Sequence, residues 1–270
     1  MYLPIICTFA ANLINMPRII ENSLIAEFKD RASFSRAELF DFFRNFEPNL
    51  KEGTLRWRIY DLKNKNIIKT LRRGLYAISN KPKYKPVLSP ELLKIAKMIQ
   101  GKFQEVKYCI WETEWLNEFS QHQTSKRILI IEIEKDFVES LFYYLKDTTE
   151  YDLYFNPDDR TIDYYILESD YPIVIKKLLS RSPIGKRIDN KLKFSTPLLE
   201  KILVDLFTEK KLFYFYQGSE LGRIYENAIN NYTINFSKLF SYAKRRKREK
   251  EIQSFMKNNM DYIIKDIIDD

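Results

Sequence analysis

A run of basic, aromatic and amide side chains between Thr54 and Ile78 is the part of this sequence best suited to binding chemistry. On a helical period, one face of the run carries Trp57, Tyr60, Asp61 and Asn64, with Arg56 and Lys63 on one side and Arg58 and Lys65 on the other. Cations bind phosphates, whereas aromatic and amide groups contact base edges and methyl groups. The pattern predicts a surface that binds double-stranded DNA.

Two local elements must position these side chains. Leu55, Ile59 and Leu62 recur at helical spacing and predict a helix that packs on a small core. Two β-prone runs follow, Ile67–Leu71 and Leu75–Ile78. The turn between them, Arg72-Arg73-Gly74, has a glycine that tolerates positive φ, so we expect a hairpin with a cationic tip.

The positive charge of the chain is concentrated in this helix and hairpin. From Lys51 to Arg73 there are eight Lys or Arg and two acidic residues, a net charge of +6 against +8 for the whole chain. Charge runs are often merely solvated, and the order of helix, hairpin and cationic turn is what favours DNA binding here.

Two further helices are predicted before this segment. Ser35-Arg36-Ala37-Glu38 has the spacing of a capping box, so a helix should begin there. Its expected buried stripe is Leu39, Phe40, Phe43 and Phe46, and Pro48 should end it. An earlier helix spans about Ile19–Lys29. Three helices and a hairpin over residues 16–80 predict a winged helix-turn-helix. Winged helices also serve as protein-interaction modules without a DNA role, and that alternative stays open.

Composition indicates an ordinary folded protein. The chain has 270 residues, of which 45% are hydrophobic and 15% aromatic, enough for a substantial core. Cys7 and Cys109 are too few and too far apart for a metal site, which favours a reducing compartment. The apolar residues 1–15 are too short to span a membrane; we expect a non-essential extension or, alternatively, a short packed strand or helix. We therefore expect a cytoplasmic protein without membrane association.

A second domain is expected after a linker. Residues 81–90 are rich in proline and lysine and predict extended chain, and Ser89-Pro90-Glu91 should open a helix. Residues 91–270 predict a larger mixed α/β domain with a helical C-terminal end, so that the whole chain is α+β. The expected strands are Val106–Trp111, Arg127–Glu134, Leu153–Phe155, Thr161–Leu167 and Ile173–Leu179. The expected helices include Thr113–Phe119, Asp136–Lys146 and one capped by Thr196-Pro197.

This second domain shows no catalytic pattern. The single histidine, His122, lies in a polar run and predicts a surface residue. Glu134 and Lys135 are adjacent, whereas the restriction-nuclease motif needs a residue between acid and lysine. At Gly218-Ser219 we expect helix capping by Ser219 rather than the start of a nucleotidyltransferase signature. We expect no enzyme, no metal and no cofactor. A metal-dependent DNA-processing enzyme with a site in residues 106–179 remains a weaker alternative.

A second basic run lies near the C-terminus. Lys244–Lys250 contains six cations and one acid, and we expect it on a helix with Leu239, Ala243, Ile252 and Phe255 as apolar positions. It is a solvated face, a second surface for nucleic acid or an acidic partner, or, as the least favoured alternative, a site of membrane association. The candidate residues of this surface are Lys244, Arg245, Arg246, Lys247 and Arg248.

The order of these elements resembles a known family. RRGLYAI at the hairpin, the proline-containing linker, the α/β domain and the helix TPLLEKILVDLF together resemble the AbiEi-type antitoxins, which are transcriptional regulators of type IV toxin-antitoxin and abortive-infection systems. The chain looks most like the divergent Bacteroidetes-type members. The similarity extends over about Met16–Met256.

The resemblance implies a function in two parts. The winged helix would repress its own operon by binding inverted repeats in the operator, and the second domain would oppose a nucleotidyltransferase-like toxin without a stable complex. The DNA contacts it implies are Arg56, Trp57, Arg58, Tyr60, Lys63, Asn64, Lys69, Arg72 and Arg73. Trp57 is unusual on a recognition helix and could instead pack against the linker.

Overall fold

The computed structural model describes residues 19–31, 33–79, 81–122 and 124–260. The predictions for residues 1–15 and Cys7 lie outside these residues. The described chain has mixed α+β structure and divides into two compact units. Of the described residues, one unit comprises those up to Pro82 together with residues 235–237, and the other comprises Lys83–Ile234 and residues 238–260. No helix in the described ranges is long and apolar enough to cross a membrane.

The described residues of the first unit form three helices and a small antiparallel sheet. Its elements are α1 (residues 19–28), β1 (Phe34–Ser35), α2 (Arg36–Arg44), α3 (Glu52–Asn64), β2 (Ile68–Arg72) and β3 (Leu75–Ile78). The strand order is β1-β3-β2, so β3 is central. Tyr76 of β3 pairs with Phe34 of β1 on one side and with Thr70 of β2 on the other. The predicted capping box forms, because Ser35 accepts from Glu38 N–H and Glu38 accepts from Ser35 N–H.

The core of this unit is aromatic. Leu24 and Phe28 of α1 pack with Phe34, Leu39 and Phe42 in one buried cluster. The buried stripe predicted for α2 omitted Phe42 and wrongly included Phe46. Phe42 is buried, whereas Phe46 is exposed because α2 has ended at Arg44 and the chain turns there.

The boundary between the units, after Pro82, falls in a stretch without regular structure. Residues 81–89 form neither helix nor strand, and Pro90 begins α4 (Pro90–Lys102). Ser89 caps α4 as expected, since its hydroxyl accepts from Leu92 N–H at 3.0 Å.

The second unit is built on a four-stranded sheet. Its strands are β4 (Tyr108–Glu112), β5 (Leu129–Ile133), β6 (Leu153–Phe155) and β7 (Ile173–Lys177), in the order β4-β5-β7-β6. β4 is antiparallel to β5, and β5, β7 and β6 are parallel. A 3₁₀ helix, Thr113–Glu118, follows β4, and α5 (Val138–Thr148) follows β5. Every residue of β4 and β5 is buried, as expected for central strands.

One predicted strand is wrong. Residues 161–167 form no strand; Asp159–Thr161 make a helical turn, α6, which continues as a π-helix over Ile162–Ile166. Asp158 initiates the turn by accepting from Thr161 N–H at 2.8 Å. Ile162 and Ile166 are buried at helical spacing, i and i+4, instead of alternating with exposed residues as in a strand.

A hairpin that the sequence did not predict precedes the C-terminal helices. β8 (Ile184–Asp189) pairs with β9 (Leu192–Pro197). Thr196 and Pro197 therefore belong to β9 and do not cap a helix, which corrects the prediction. Leu198 is the N-cap of α7 (Leu199–Thr208).

The remaining helices are α8 (Ser219–Asn231), α9 (Phe236–Arg245) and α10 (Glu249–Asn259), with a 3₁₀ turn at Tyr214–Tyr216. Gly218, at φ 65°, is the N-cap of α8, so the predicted capping by Ser219 is wrong. The basic run is likewise not on one helix. It forms the corner between α9 and α10, where Lys247 has φ 57°.

Candidate functional site

The outward face of α3 presents the side chains predicted to contact DNA. Leu55, Ile59 and Leu62 are buried in the first unit, as predicted, and fix the rotation of the helix. On the opposite side Trp57 is 66% exposed and Tyr60 is 62% exposed. Arg56, Lys63 and Asn64 are also exposed.

Arg58 differs from the other predicted contacts because it makes contacts inside the unit. Its guanidinium forms an ion pair with Glu47, just after α2, and lies 5.0 Å from the centre of the Phe43 ring. Arg58 therefore ties α3 to the end of α2.

The hairpin supplies cations next to α3. Gly74 adopts φ 80° in the turn, as its position in the sequence predicted, and Arg73 beside it is exposed. Arg72 is partly buried at the end of β2. Lys69, in the middle of β2, is also partly buried, and this burial together with the charge of Lys81 lowers the pKa of Lys69 to about 8.

The cations of this surface fall into two groups. Lys65 at the end of α3 is neutralised, since its ammonium lies 2.6 Å from Glu21 Oε1 and 2.8 Å from Asp61 Oδ2. Arg56, Lys63 and Arg73 form no ion pair with any described residue. We call Arg56, Trp57, Tyr60, Lys63, Asn64 and Arg73 the α3 surface. It combines two exposed rings and an amide with three cations available to an anion.

The second predicted basic surface is only partly a surface. Lys244, Arg245, Lys247 and Arg248 are exposed at the corner between α9 and α10. Arg246 instead points inward, where its guanidinium lies 2.7 Å from Glu209 Oε1 and 3.8 Å from Asp205 Oδ1. Arg246 was predicted to share this surface because it is adjacent in sequence to the four exposed residues, but its side chain faces the interior.

Arg246 belongs to a buried charge network that sequence analysis missed. The network has three carboxylates and three cations: Glu132, Asp205, Glu209, Lys176, Lys201 and Arg246. Lys201 Nζ lies 2.7 Å from Glu132 Oε1, and Lys201 also pairs with Asp205. Burial disfavours the charged form of Lys201. The carboxylates of Asp205 and Glu132 outweigh this effect and raise the pKa of Lys201 well above its ordinary value.

A cavity of about 680 Å³ opens beside this network. Its lining includes Lys176, Glu209 and Arg246 of the network and further residues after β6, β7 and α7. Such a volume is in the range of small-molecule sites.

The other candidate groups do not form a metal site. The described residues include no cluster of three or more His, Cys, Asp or Glu side chains placed to hold a metal ion. The side chain of His122 is 79% exposed, as predicted, and its Nδ1 lies 3.2 Å from Glu220 Oε2. Cys109 is buried on β4, and burial raises the pKa of its thiol.

Comparison with known proteins gives a family but no activity. No curated protein matches the chain. A family model described as a family of unknown function (DUF6577) matches residues 54–262, which takes in most of α3, the β2–β3 hairpin and the described second unit. With more than three quarters of its length matched, the chain belongs to this family of unknown function, DUF6577.

Proposed function

We propose that the chain binds double-stranded DNA with sequence preference, using the first unit as a winged helix-turn-helix. In this proposal α3 is the recognition helix and the β2–β3 hairpin is the wing. The observation that carries the proposal is the α3 surface: two exposed rings and an amide lie on one helix with cations that have no ion pair among the described residues.

The dimensions of α3 suit this role. Thirteen residues at about 1.5 Å per residue give a helix about 20 Å long, and the major groove of about 12 Å width admits one helix. The buried stripe orients Tyr60 and Asn64 away from the core, toward base edges. Arg56, Lys63 and Arg73 would neutralise phosphates at the rim of the groove.

Arg58 and Lys69 have supporting roles in this proposal. The ion pair between Arg58 and Glu47 links α3 to the segment that follows α2. Lys69, with its pKa near 8, gains a full charge when a phosphate approaches.

We extend the proposal to a regulatory role on the strength of the resemblance to the AbiEi-type antitoxins. The protein would act in the cytoplasm, repress its own operon through inverted repeats and counteract a nucleotidyltransferase-like toxin without a stable complex. This wider role is supported by RRGLYAI and TPLLEKILVDLF, and its first test is DNA binding.

The decisive experiment is a gel shift of the full chain with a duplex from the region upstream of its own reading frame. Wild-type protein should retard this duplex more strongly than a scrambled duplex of equal length. The triple variant Arg56→Ala/Lys63→Ala/Arg73→Ala should lose binding by at least tenfold. A control variant with the same charge change, Lys29→Ala/Arg31→Ala/Arg44→Ala, should bind as wild type does.

The exposed rings also favour a second candidate, a protein-interaction module that covers Trp57 and Tyr60 with a partner. In that case the upstream duplex would not be retarded. Equal loss of binding in the control variant would also contradict the proposed DNA surface, since it would show that only net charge matters.

A further inference from the structure

The cavity beside the buried network lies at the carboxyl ends of parallel strands. Asn156 and Pro157, which follow β6, line the cavity, and so do Lys176 and Lys177 at the end of β7. Phe207 to Leu212, at the end of α7 and after it, also line the cavity. In open sheets with parallel strands, ligands bind in the crevice outside the carboxyl ends of the strands.

The lining is strongly cationic. Six of its residues are Lys or Arg and three are Asp or Glu. Lys177 and Lys210 are exposed and form no ion pair with any carboxylate of the described chain. Lys210 is held at the cavity by the ring of Phe207, whose centre lies 5.6 Å from its ammonium.

The other cations are held in place by acidic partners. Lys176 Nζ lies 2.6 Å from Glu209 Oε2, and Arg246 also pairs with Glu209. Arg246 donates in addition to Thr208 Oγ1 at 2.9 Å. Although burial opposes the charge of Lys176, the carboxylates of Glu209 and Glu132 raise its pKa, so Lys176 stays protonated within its ion pairs.

Apolar side chains share the cavity with these cations. Ile162, Val174, Leu179 and Leu212 line it together with Phe207. A ligand that matches this lining combines several negative charges at one end with an apolar or aromatic part at the other.

We propose that this cavity binds a phosphorylated small molecule, with Lys177 and Lys210 as the direct phosphate contacts. Multiple cations around one opening favour a ligand whose negative charges lie close together on one group, as in phosphate monoesters and diphosphates, whereas a dicarboxylic acid carries single charges on separate groups. Lys176 and Arg246 are positioning residues, because their ion pairs with Glu209 hold the segment that carries Lys210 next to the end of β7. The site is separate from the α3 surface and does not depend on DNA binding.

Isothermal titration calorimetry of the full chain tests this proposal with four probes. Pyrophosphate tests the anionic part, ATP without magnesium tests the complete ligand class, adenosine tests the apolar part alone, and succinate tests a non-phosphate dianion. ATP and pyrophosphate should bind with saturation at one site per chain. Adenosine and succinate should bind at least tenfold more weakly.

Charge-reversal variants locate the site. Lys177→Glu/Lys210→Glu should weaken ATP binding at least tenfold. Lys146→Glu is the matched control, because Lys146 also lies over a phenylalanine ring, that of Phe142 at 6.0 Å, but does not line the cavity. Its ATP affinity should stay within twofold of wild type, as should that of Arg56→Ala/Lys63→Ala/Arg73→Ala.

Three results would overturn the proposal. Absence of saturable binding by both ATP and pyrophosphate would remove the site, and equal affinity for succinate would remove the preference for phosphate. Loss of binding in the Arg56/Lys63/Arg73 variant, with Lys177→Glu/Lys210→Glu unaffected, would assign the anion to the first unit. Circular dichroism melts establish that each variant is folded.

Discussion

Lys201 and Asp205 lie one helical turn apart on α7, and both side chains are completely buried as an ion pair. Glu132 on β5 provides the second carboxylate for Lys201, at 2.7 Å, and the Tyr242 hydroxyl donates to Asp205 at 2.9 Å. Removing one member of a buried pair leaves a charge without compensation, which is far more costly than losing a surface pair.

Lys201→Met should therefore destabilise the second unit by about 3–5 kcal/mol. Urea unfolding followed by tryptophan fluorescence measures this loss, because Trp111 and Trp115 are buried in the second unit while Trp57 is exposed in the first. The control Lys146→Met removes an exposed lysine and should change stability by less than about 0.5 kcal/mol. A loss below about 1 kcal/mol for Lys201→Met would contradict the buried network.

Glu209 should make the second unit sensitive to acid. Although its burial opposes ionisation, the charges of Lys176 and Arg246 lower the pKa of Glu209 to about 2. A carboxyl group with a lowered folded pKa contributes stability above its unfolded pKa of about 4.5, and this stability is lost as the pH falls toward 2.

Between pH 5 and pH 3, wild-type protein should thus lose about 2 kcal/mol through this group. Glu209→Gln, which cannot ionise, should be less stable at pH 5 and should lose correspondingly less on acidification. Urea unfolding at pH 5, 4 and 3 gives the difference between the two proteins. Parallel stability curves for wild type and Glu209→Gln would exclude a lowered pKa.

Local signals in the sequence predicted the first unit well. The capping box of Ser35 and Glu38, the stripe of α3 and the turn at Gly74 each depend on residues within a few positions of one another. Phe46 was placed wrongly because its burial depends on where α2 ends, which periodicity does not determine.

Contacts between distant residues could not be predicted in this way. Glu132 and Lys201 form their ion pair across 69 positions, and the network forms only when β5 pairs with β7 and both α7 and the corner after α9 pack nearby. The cavity was missed for the same reason. The β8–β9 hairpin did carry a local signal, since Asn190 and Lys191 have positive φ in its turn, and asparagine favours that conformation.

Gly74 should be required for the shape of the hairpin. At φ 80° an L side chain is strained, and no atom lies within 4 Å of an added Cβ, so strain alone sets the effect of Gly74→Ala. We expect a cost of about 1–2 kcal/mol and roughly tenfold faster hydrogen exchange in peptides that cover β2 and β3.

Gly53→Ala should change stability in the opposite direction to Gly74→Ala. Gly53 lies in the first turn of α3, also with no atom within 4 Å of an added Cβ, and alanine favours the helix by up to about 1 kcal/mol. Exchange in α3 should slow or stay unchanged. Faster exchange in both variants would show that the backbone of this unit differs from the structure.

Lys69 should couple DNA binding to protons. With a pKa of about 8 it is mostly neutral at pH 8.5, and a nearby phosphate raises the pKa and restores the charge. Binding at pH 8.5 should take up as much as three quarters of a proton, roughly, and the affinity should fall as the pH rises above 8.

Calorimetry in two buffers with different ionisation enthalpies measures this uptake. Lys69→Met should abolish it, whereas Lys63→Met, which removes an exposed cation from α3, should leave it unchanged. If uptake persists in Lys69→Met, the proton is bound at another group.

Phosphate contacts and base contacts of the α3 surface should be distinguishable, the first by the salt dependence of binding and the second by sequence preference. If about six phosphates are neutralised, the logarithm of the binding constant should fall with the logarithm of salt concentration at a slope of about −5. Arg72→Ala/Arg73→Ala should weaken binding to all duplexes alike and make this slope shallower by about 2, because these residues would contact only the backbone.

Tyr60→Ala and Asn64→Ala should keep the slope and reduce the preference for the upstream duplex over a scrambled one, by about 1–3 kcal/mol for a good contact. Fluorescence anisotropy at four salt concentrations with both duplexes provides all of these values. A slope near zero for wild type would exclude phosphate binding, and an unchanged preference in both Tyr60→Ala and Asn64→Ala would mean that another face of the unit contacts the bases.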